Sequence, residues 1–243
     1  MSRKKIVERI RNIGDDISYM FPWTRTWLKP LYHKLILDRY LAKRRQAFLS
    51  KSYDVINRFD MSLNSVGIHY SLGFGSMLGA VREKGIIGHD ADMDTLVWAE
   101  DDNCKLVKKA LESAGFIRTR CFLINEGKLG REETYEYNSV PIDVFYIYPP
   151  VNKLPYTAYY RPMEGYPTLK ISMRETGKVQ AIRLDRPYEK EYVLMPFGPL
   201  NLPVMKHYDP ILRACYGDQY MIPDPNFKRT EECKWVEVHA TMI

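Results

Sequence analysis

Three carboxylates and one small-residue turn carry the chemistry this sequence can do. Residues 73–94 read Gly-Phe-Gly-Ser-Met-Leu-Gly-Ala-Val-Arg-Glu-Lys-Gly-Ile-Ile-Gly-His-Asp-Ala-Asp-Met-Asp. Asp92 and Asp94 alternate at the head of an apolar run, residues 93–98, that fits a buried strand. That predicts both acids on one face, about 6.5–7 Å apart at Cα. Asp143 lies inside Pro141-Ile142-Asp143-Val144-Phe145, a second apolar strand, where an unpaired carboxylate is costly to ionise. If the two strands are neighbours, the three acids converge. Left empty, such a cluster repels itself and partly protonates, whereas Mg2+ or Mn2+, hard cations that take oxygen ligands, relieves the repulsion.

The upstream turn supplies the complementary half. Gly75 and Ser76 open a predicted helix over residues 76–84, so backbone N–H groups there face outward toward a phosphate. Arg82 and Lys84 add positive charge against the negative charge that develops in group transfer. Two rival patterns fail. An EF-hand loop starting at Asp90 needs Gly at its sixth position, which is Thr95, and the buried run Leu96-Val97-Trp98 stands where a solvated loop is required. A dinucleotide fingerprint needs Gly-x-Gly-x-x-Gly, but the spacing is Gly73-x-Gly75-x-x-x-Gly79, and the acids begin the next strand instead of ending it. Plain capping and surface roles account for Asp90 and for His89 as a solvated side chain, but not for Asp143.

The remaining chain must position these groups. Residues 38–66 are helical in pattern, with Leu41, Phe48, Val55, Phe59, Leu63 and Val66 on one stripe and Gly67 as a left-handed stop. Strands are predicted over 68–72, 93–98, 116–124, 132–138 and 140–148, with a helix over 103–114 capped by Asp101-Asp102 and stopped at Gly115. Residues 149–167, rich in Pro and Tyr, read as an irregular loop. Residues 169–194 read as hairpins broken at Gly177 and Pro187, and 208–216 as the last helix. The pattern is α+β, a mixed sheet with helices on at least one side.

Charge divides the chain. Residues 1–50 hold twelve Lys/Arg against four Asp/Glu, whereas residues 51–243 hold 24 against 26. Within residues 1–37, Ile6, Ile10, Ile13 and Ile17 recur at helical spacing among basic residues, followed by Phe21-Pro22-Trp23 and Trp27. This basic, aromatic arm fits either a membrane surface or a protein partner, and no downstream module argues for nucleic acid. The catalytic domain is assigned to residues 38–243. Cys104, Cys121, Cys215 and Cys233 form no metal-binding or Cys-x-x-Cys spacing, which favours free thiols in a reducing, cytoplasmic setting. The 18 tyrosines suit half-buried positions against core, sugar or base.

Taken together, Gly75-Ser76-Met77-Leu78-Gly79-Ala80-Val81-Arg82, Gly85, His89-Asp90-Ala91-Asp92-Met93-Asp94 and Ile142-Asp143-Val144-Phe145 resemble the LicD family of nucleotidyltransferase-like proteins, which includes the fukutin-related proteins. Leu202-Pro203-Val204, Tyr208-Asp209-Pro210-Ile211-Leu212 and Tyr216-Gly217-Asp218-Gln219-Tyr220-Met221 resemble its closing motif. Two positions depart from the pattern: His89 replaces the usual Trp, and Ala91 an acid.

The resemblance implies a nucleotidyltransferase-like fold and transfer of a phospho-alcohol group, phosphocholine or an alditol phosphate, from a CDP-linked donor to a glycan hydroxyl with release of CMP. It implies metal at Asp92, Asp94 and Asp143, the last alternatively as base. Gly75, Ser76, Arg82 and Lys84 fall to the donor phosphate, and Tyr216 and Asp218 become weaker candidates. The setting it implies is polysaccharide modification at the inner face of a membrane. Two other functions fit the same residues: a nucleotidyltransferase moving NMP from NTP, and a non-catalytic membrane- or glycan-binding module.

Overall fold

Helix α1 (Asp38–Asn64) forms because its apolar residues return every three or four positions, and Phe48, Val55, Ile56, Phe59 and Leu63 are all buried. The computed structural model describes residues 38–100, 102–150, 153–224, 235–238 and 240–242. The arm assigned to residues 1–37, together with its membrane contact, lies outside the described residues, as do Asp101 and Cys233. Cys104, Cys121 and Cys215 are free thiols. Val66, expected on the stripe of α1, follows the helix and is exposed. Gly67 does take the left-handed conformation, with φ of 72°.

The central sheet has six strands in the order β1-β2-β5-β4-β3-β11. These are β1 (Tyr70–Leu72), β2 (Met93–Trp98), β3 (Ile117–Ile124), β4 (Gly130–Tyr137), β5 (Val140–Ile147) and β11 (Ala240–Met242). Only β2 and β5 pair in parallel; every other neighbour is antiparallel, so the sheet is mixed as the pattern required. Every residue of β5 is buried, Asp143 included. Between β1 and β2 lie helix α2 (Phe74–Leu78) and a π-helical turn (Gly79–Glu83). Helix α3 (Asn103–Ser113) follows β2 and packs with α1. Asp102 stands at its N-cap, but its carboxylate bonds the Lys105 ammonium instead of a backbone N–H.

Two expectations change downstream. The stretch read as an irregular loop contains a strand, β6 (Tyr156–Arg161), because Tyr156, Ala158 and Tyr160 alternate inward. The stretch read as hairpins begins with helix α4 (Leu169–Thr176), where the Thr168 hydroxyl accepts from the Ile171 N–H and Gly177 closes the end at φ of 68°. Strand β7 (Val179–Asp185) then joins β6 and β10 (Trp235–Val238) in a second sheet. Strands β8 (Tyr192–Phe197) and β9 (Leu200–Met205) form a hairpin beside β1, and α5 (Tyr208–Tyr216) packs on α2. The last helix is therefore placed as expected, but β10 and β11 follow it.

One face of β4 carries a buried carboxylate that ties three strands together. Glu133 accepts from the Arg118 and Arg131 guanidinium groups at 2.7 and 3.0 Å and from the Tyr135 and Tyr146 hydroxyls at 2.9 and 2.8 Å. A buried charge so surrounded rigidifies the sheet and would be costly to strip of its partners. On the other flank of the core, Phe59 meets the edges of Tyr70 and Phe116 at ring separations of 5.2 and 6.3 Å. Phe59→Ala is expected to lower unfolding stability by about 3–5 kcal/mol, read from a reduced urea midpoint at unchanged slope. A loss under about 1 kcal/mol would show that α1 is not a principal wall of the core.

Candidate functional site

The turn and the strand expected to cooperate are joined by direct hydrogen bonds. The Gly73 N–H donates to the Asp94 carbonyl at 2.9 Å, the Asp94 N–H donates to Ser76 Oγ at 2.9 Å, and the Gly75 N–H donates to Asp94 Oδ2 at 3.1 Å. The approach is tightest at Gly73. A Cβ on Gly73 would stand 2.9 Å from Leu96 Cγ, and one on Gly75 would stand 3.4 Å from carboxylate oxygens of both Asp90 and Asp94. Phe74 between them is forced to φ of 35°, a strained value for a bulky residue, and its ring is held edge-on by Phe145 at 4.9 Å.

Asp94 and Asp143 are register partners on the adjacent parallel strands β2 and β5. Asp92 lies in the bend just before β2 and is exposed. Burial first, then repulsion from Asp92 and Asp143, holds the Asp94 carboxyl well above the usual carboxylate range, even though the Gly75 N–H opposes the shift. Asp90 is pushed up to about 6, chiefly by burial, with Asp92 adding to the shift and His89 and Arg82 opposing it. Asp90 is thus part of the site, whereas its sequence reads as capping. Only the fold reveals this, by returning the loop so that the Asp90 carboxylate lies against Gly75.

The far side of Asp143 was not legible at all. Thr134 on β4 donates its hydroxyl to Asp143 Oδ1 at 2.5 Å, and Arg120 Nη2 on β3 stands 3.5 Å from Oδ2. The same nitrogen lies 2.8 Å from Glu132 Oε1, a buried acid pushed up to about 8, first by burial, against the pull of Arg120. Thr134, Arg120 and Glu132 lie on predicted strands without any motif, and only strand register brings them to Asp143.

The other expected residues divide. Ser76 is buried and serves as acceptor for the strand, so its side chain braces Asp94. Arg82 is close enough to Asp90 to lower its pKa, and it also bonds Glu83 and the Tyr220 carbonyl. Lys84 is exposed, takes the left-handed conformation at φ of 56°, and its ammonium bonds the Val81 carbonyl of its own turn. His89 is largely exposed, with Nε2 3.8 Å from Asp90 Oδ1. Asp218 is paired with Arg213 at 3.1 Å on the surface, and Tyr216 packs on the core at the end of α5. Those two belong to a closure of the last helix, in which Asp209 also accepts from the Tyr220 hydroxyl at 2.8 Å.

The donor set is all oxygen and carries mutual repulsion, which fits a hard divalent cation. As the side chains stand, no three His, Cys, Asp or Glu residues among the described residues converge closely enough to hold a metal ion. Asp94 and Asp143 stand as an opposed pair, with Asp90 and Asp92 beside Asp94. Asp143 is drawn toward Thr134 and Arg120 because β4 and β3 present those donors at its own register.

A mixed sheet flanked by helices, with acids opposed on neighbouring parallel strands and a glycine turn bonded to one of them, defines a nucleotidyltransferase-like domain. Residues 67–167 match the family model described as LicD/FKTN/FKRP, nucleotidyltransferase domain. It contains every site residue named above except Tyr216 and Asp218. Over 91 residues the chain is 34% identical to the mouse (Mus musculus) and human (Homo sapiens) proteins named ribitol 5-phosphate transferase FKRP. The aligned stretch covers 36% of this chain and 18% of each relative, so the chain spans less than a fifth of the length of the relatives it matches.

Ser76→Ala removes the acceptor of the half-buried Asp94 N–H. It is expected to cost about 1–3 kcal/mol of unfolding stability, and a urea midpoint unchanged from wild type would show that the hydroxyl does not support β2.

Proposed function

We propose that this protein transfers a phospho-alcohol group, of the phosphocholine or alditol phosphate kind, from a CDP-linked donor to a glycan hydroxyl, releasing CMP, in the building of a cell-surface or capsular polysaccharide. The observation that carries the reading is the opposed pair Asp94 and Asp143 beside the Gly73–Gly75 turn, within the segment that matches the LicD/FKTN/FKRP family model. The name of the mouse and human relatives, a ribitol 5-phosphate transferase, supports the class of group transferred. No helix among the described residues is long and apolar enough to cross a membrane. In this reading the chain works at the cytoplasmic face of a membrane, reached through the basic residues 1–37.

The reaction is an in-line displacement at the phosphorus that bears the alcohol. A bond forms from the glycan oxygen to that phosphorus, the bond to the bridging oxygen breaks, and CMP leaves with the electron pair. In this reading Asp143, oriented by Thr134 and Arg120, takes the proton of the attacking hydroxyl. Arg82, which already offsets the Asp90 charge, contributes positive charge toward the donor phosphates. Asp92 and Asp94 would hold Mg2+ or Mn2+, which when bound supplies charge neutralisation for the phosphoryl oxygens and the leaving group. The backbone of the Gly75 turn keeps Asp94 oriented for this and leaves room for the donor.

The test is incubation of the full chain with CDP-choline, CDP-ribitol, CDP-glycerol and nucleoside triphosphates in Mg2+ or Mn2+, scored for CMP and for pyrophosphate. CMP release with one CDP donor is expected, abolished by chelation and lowered at least about 10²-fold by Asp94→Asn. Pyrophosphate from a triphosphate, with no CMP from any CDP donor, would overturn the reading in favour of nucleotidyl transfer.

A further inference from the structure

Four polar side chains occupy one rung across the central sheet. Asp94 on β2 pairs with Asp143 on β5, Asp143 with Thr134 on β4, and Thr134 with Arg120 on β3. Elsewhere on β5 the neighbours of Asp143 are buried aliphatics, so a polar rung four strands wide is not what sheet packing alone would select. Arg120 is the outermost member and the only cation on the rung. We infer that Arg120 is a positioning residue for the transfer, which fixes the orientation of the Asp143 carboxylate toward Asp94 through a guanidinium anchored on Glu132.

Geometry on three sides supports this. Arg120 Nη2 donates to Glu132 Oε1 at 2.8 Å and forms an ion pair with Asp143 Oδ2 at 3.5 Å, so the hydrogen bond anchors the group and the ion pair faces the site. The plane of the guanidinium is set by Phe122, whose ring centre lies 5.4 Å from Arg120 Cζ. Phe122 is itself stacked on Tyr160 of β6 at 4.7 Å, with 23° between the rings. Glu132 in turn accepts the backbone N–H of Tyr160. The second sheet therefore grips both supports of Arg120, its carboxylate anchor and its aromatic floor. With Thr134 on Oδ1, Asp143 is held at both oxygens from two different strands, which leaves little rotational freedom for its carboxylate.

This inference rests on the assignment of Asp143 to the reaction, and a simpler role competes with it. Arg120 could merely neutralise Glu132, a buried acid that would be costly to leave alone. The two roles separate in the variant Arg120→Gln/Glu132→Gln, which removes both charges and strands neither. If Arg120 only neutralises Glu132, the double variant turns over like wild type. If Arg120 positions Asp143, kcat stays at least about tenfold down with the donor KM within about threefold of wild type, because misoriented groups cost rate more than binding. Arg120→Lys, which keeps the charge without the plane that stacks on Phe122, is expected to recover part of kcat. Full turnover by the double variant overturns the inference.

Should wild type release no CMP from any donor, the transfer reading falls with the catalytic part of the inference, and the hold of Arg120 on Asp143 is tested on stability. Melting of the wild type, Arg120→Gln/Glu132→Gln, Asp143→Asn and their combination then forms a cycle. A coupling above about 0.5 kcal/mol supports the contact, and additivity within that limit overturns it.

Discussion

The structure depends on one electrostatic constraint: two carboxylates, Asp94 and Asp143, held at the same register on adjacent parallel strands. Parallel strands lie about 4.8 Å apart, so the backbone alone brings the two acids into mutual repulsion before any side chain has chosen a rotamer. Most of the surrounding detail answers that repulsion. Gly75 gives Asp94 an N–H, Thr134 and Arg120 take the two oxygens of Asp143, and Ser76 pins the strand beneath. The strain at Phe74 is the local consequence of bringing a turn close enough to a strand for its backbone to bond a carboxylate.

Rigidity behind the pair is supplied from the opposite face of the sheet. Successive residues of β4 point to opposite sides, so Thr134 serves the site while Glu133 collects two guanidinium groups and two tyrosine hydroxyls in the core behind it. Acids on such a base cannot separate to lower their repulsion.

The sequence was most legible where periodicity and apolar runs coincide. β2 and α5 were expected at the residues where they occur, and Asp143 was singled out because an acid inside a run of Ile, Val and Phe has no cheap structural excuse. It was least legible where long-range register decides. Arg120 and Thr134 are ordinary residues of amphipathic strands until β3, β4 and β5 are aligned, and Asp90 reads as a cap until its loop folds back on Gly75. The same cause explains the elements missed between residues 149 and 194. Tyrosine-rich β6 gains its alternation only by covering Phe122 and Ile124, and α4 is set by a Thr cap and a closing Gly weaker in sequence than the breakers around them. The contacts of Gly75 and Ser76 with Asp94 likewise depend on the fold, which brings the turn against β2.

The central claim is that the charge gathered around Asp94 is completed by a divalent cation. Its most direct test is a melting titration of the full chain with Mn2+, with and without CMP, for wild type and Asp94→Asn. A Kd near one hundredth of the Mn2+ concentration would stabilise the fold by about 2.7 kcal/mol, a readily measured rise in Tm. The account predicts that rise in wild type, and its loss in Asp94→Asn, which removes the negative charge from the carboxylate most strongly repelled by its neighbours. A wild-type Tm indifferent to Mn2+, or an equal rise in both proteins, would contradict it.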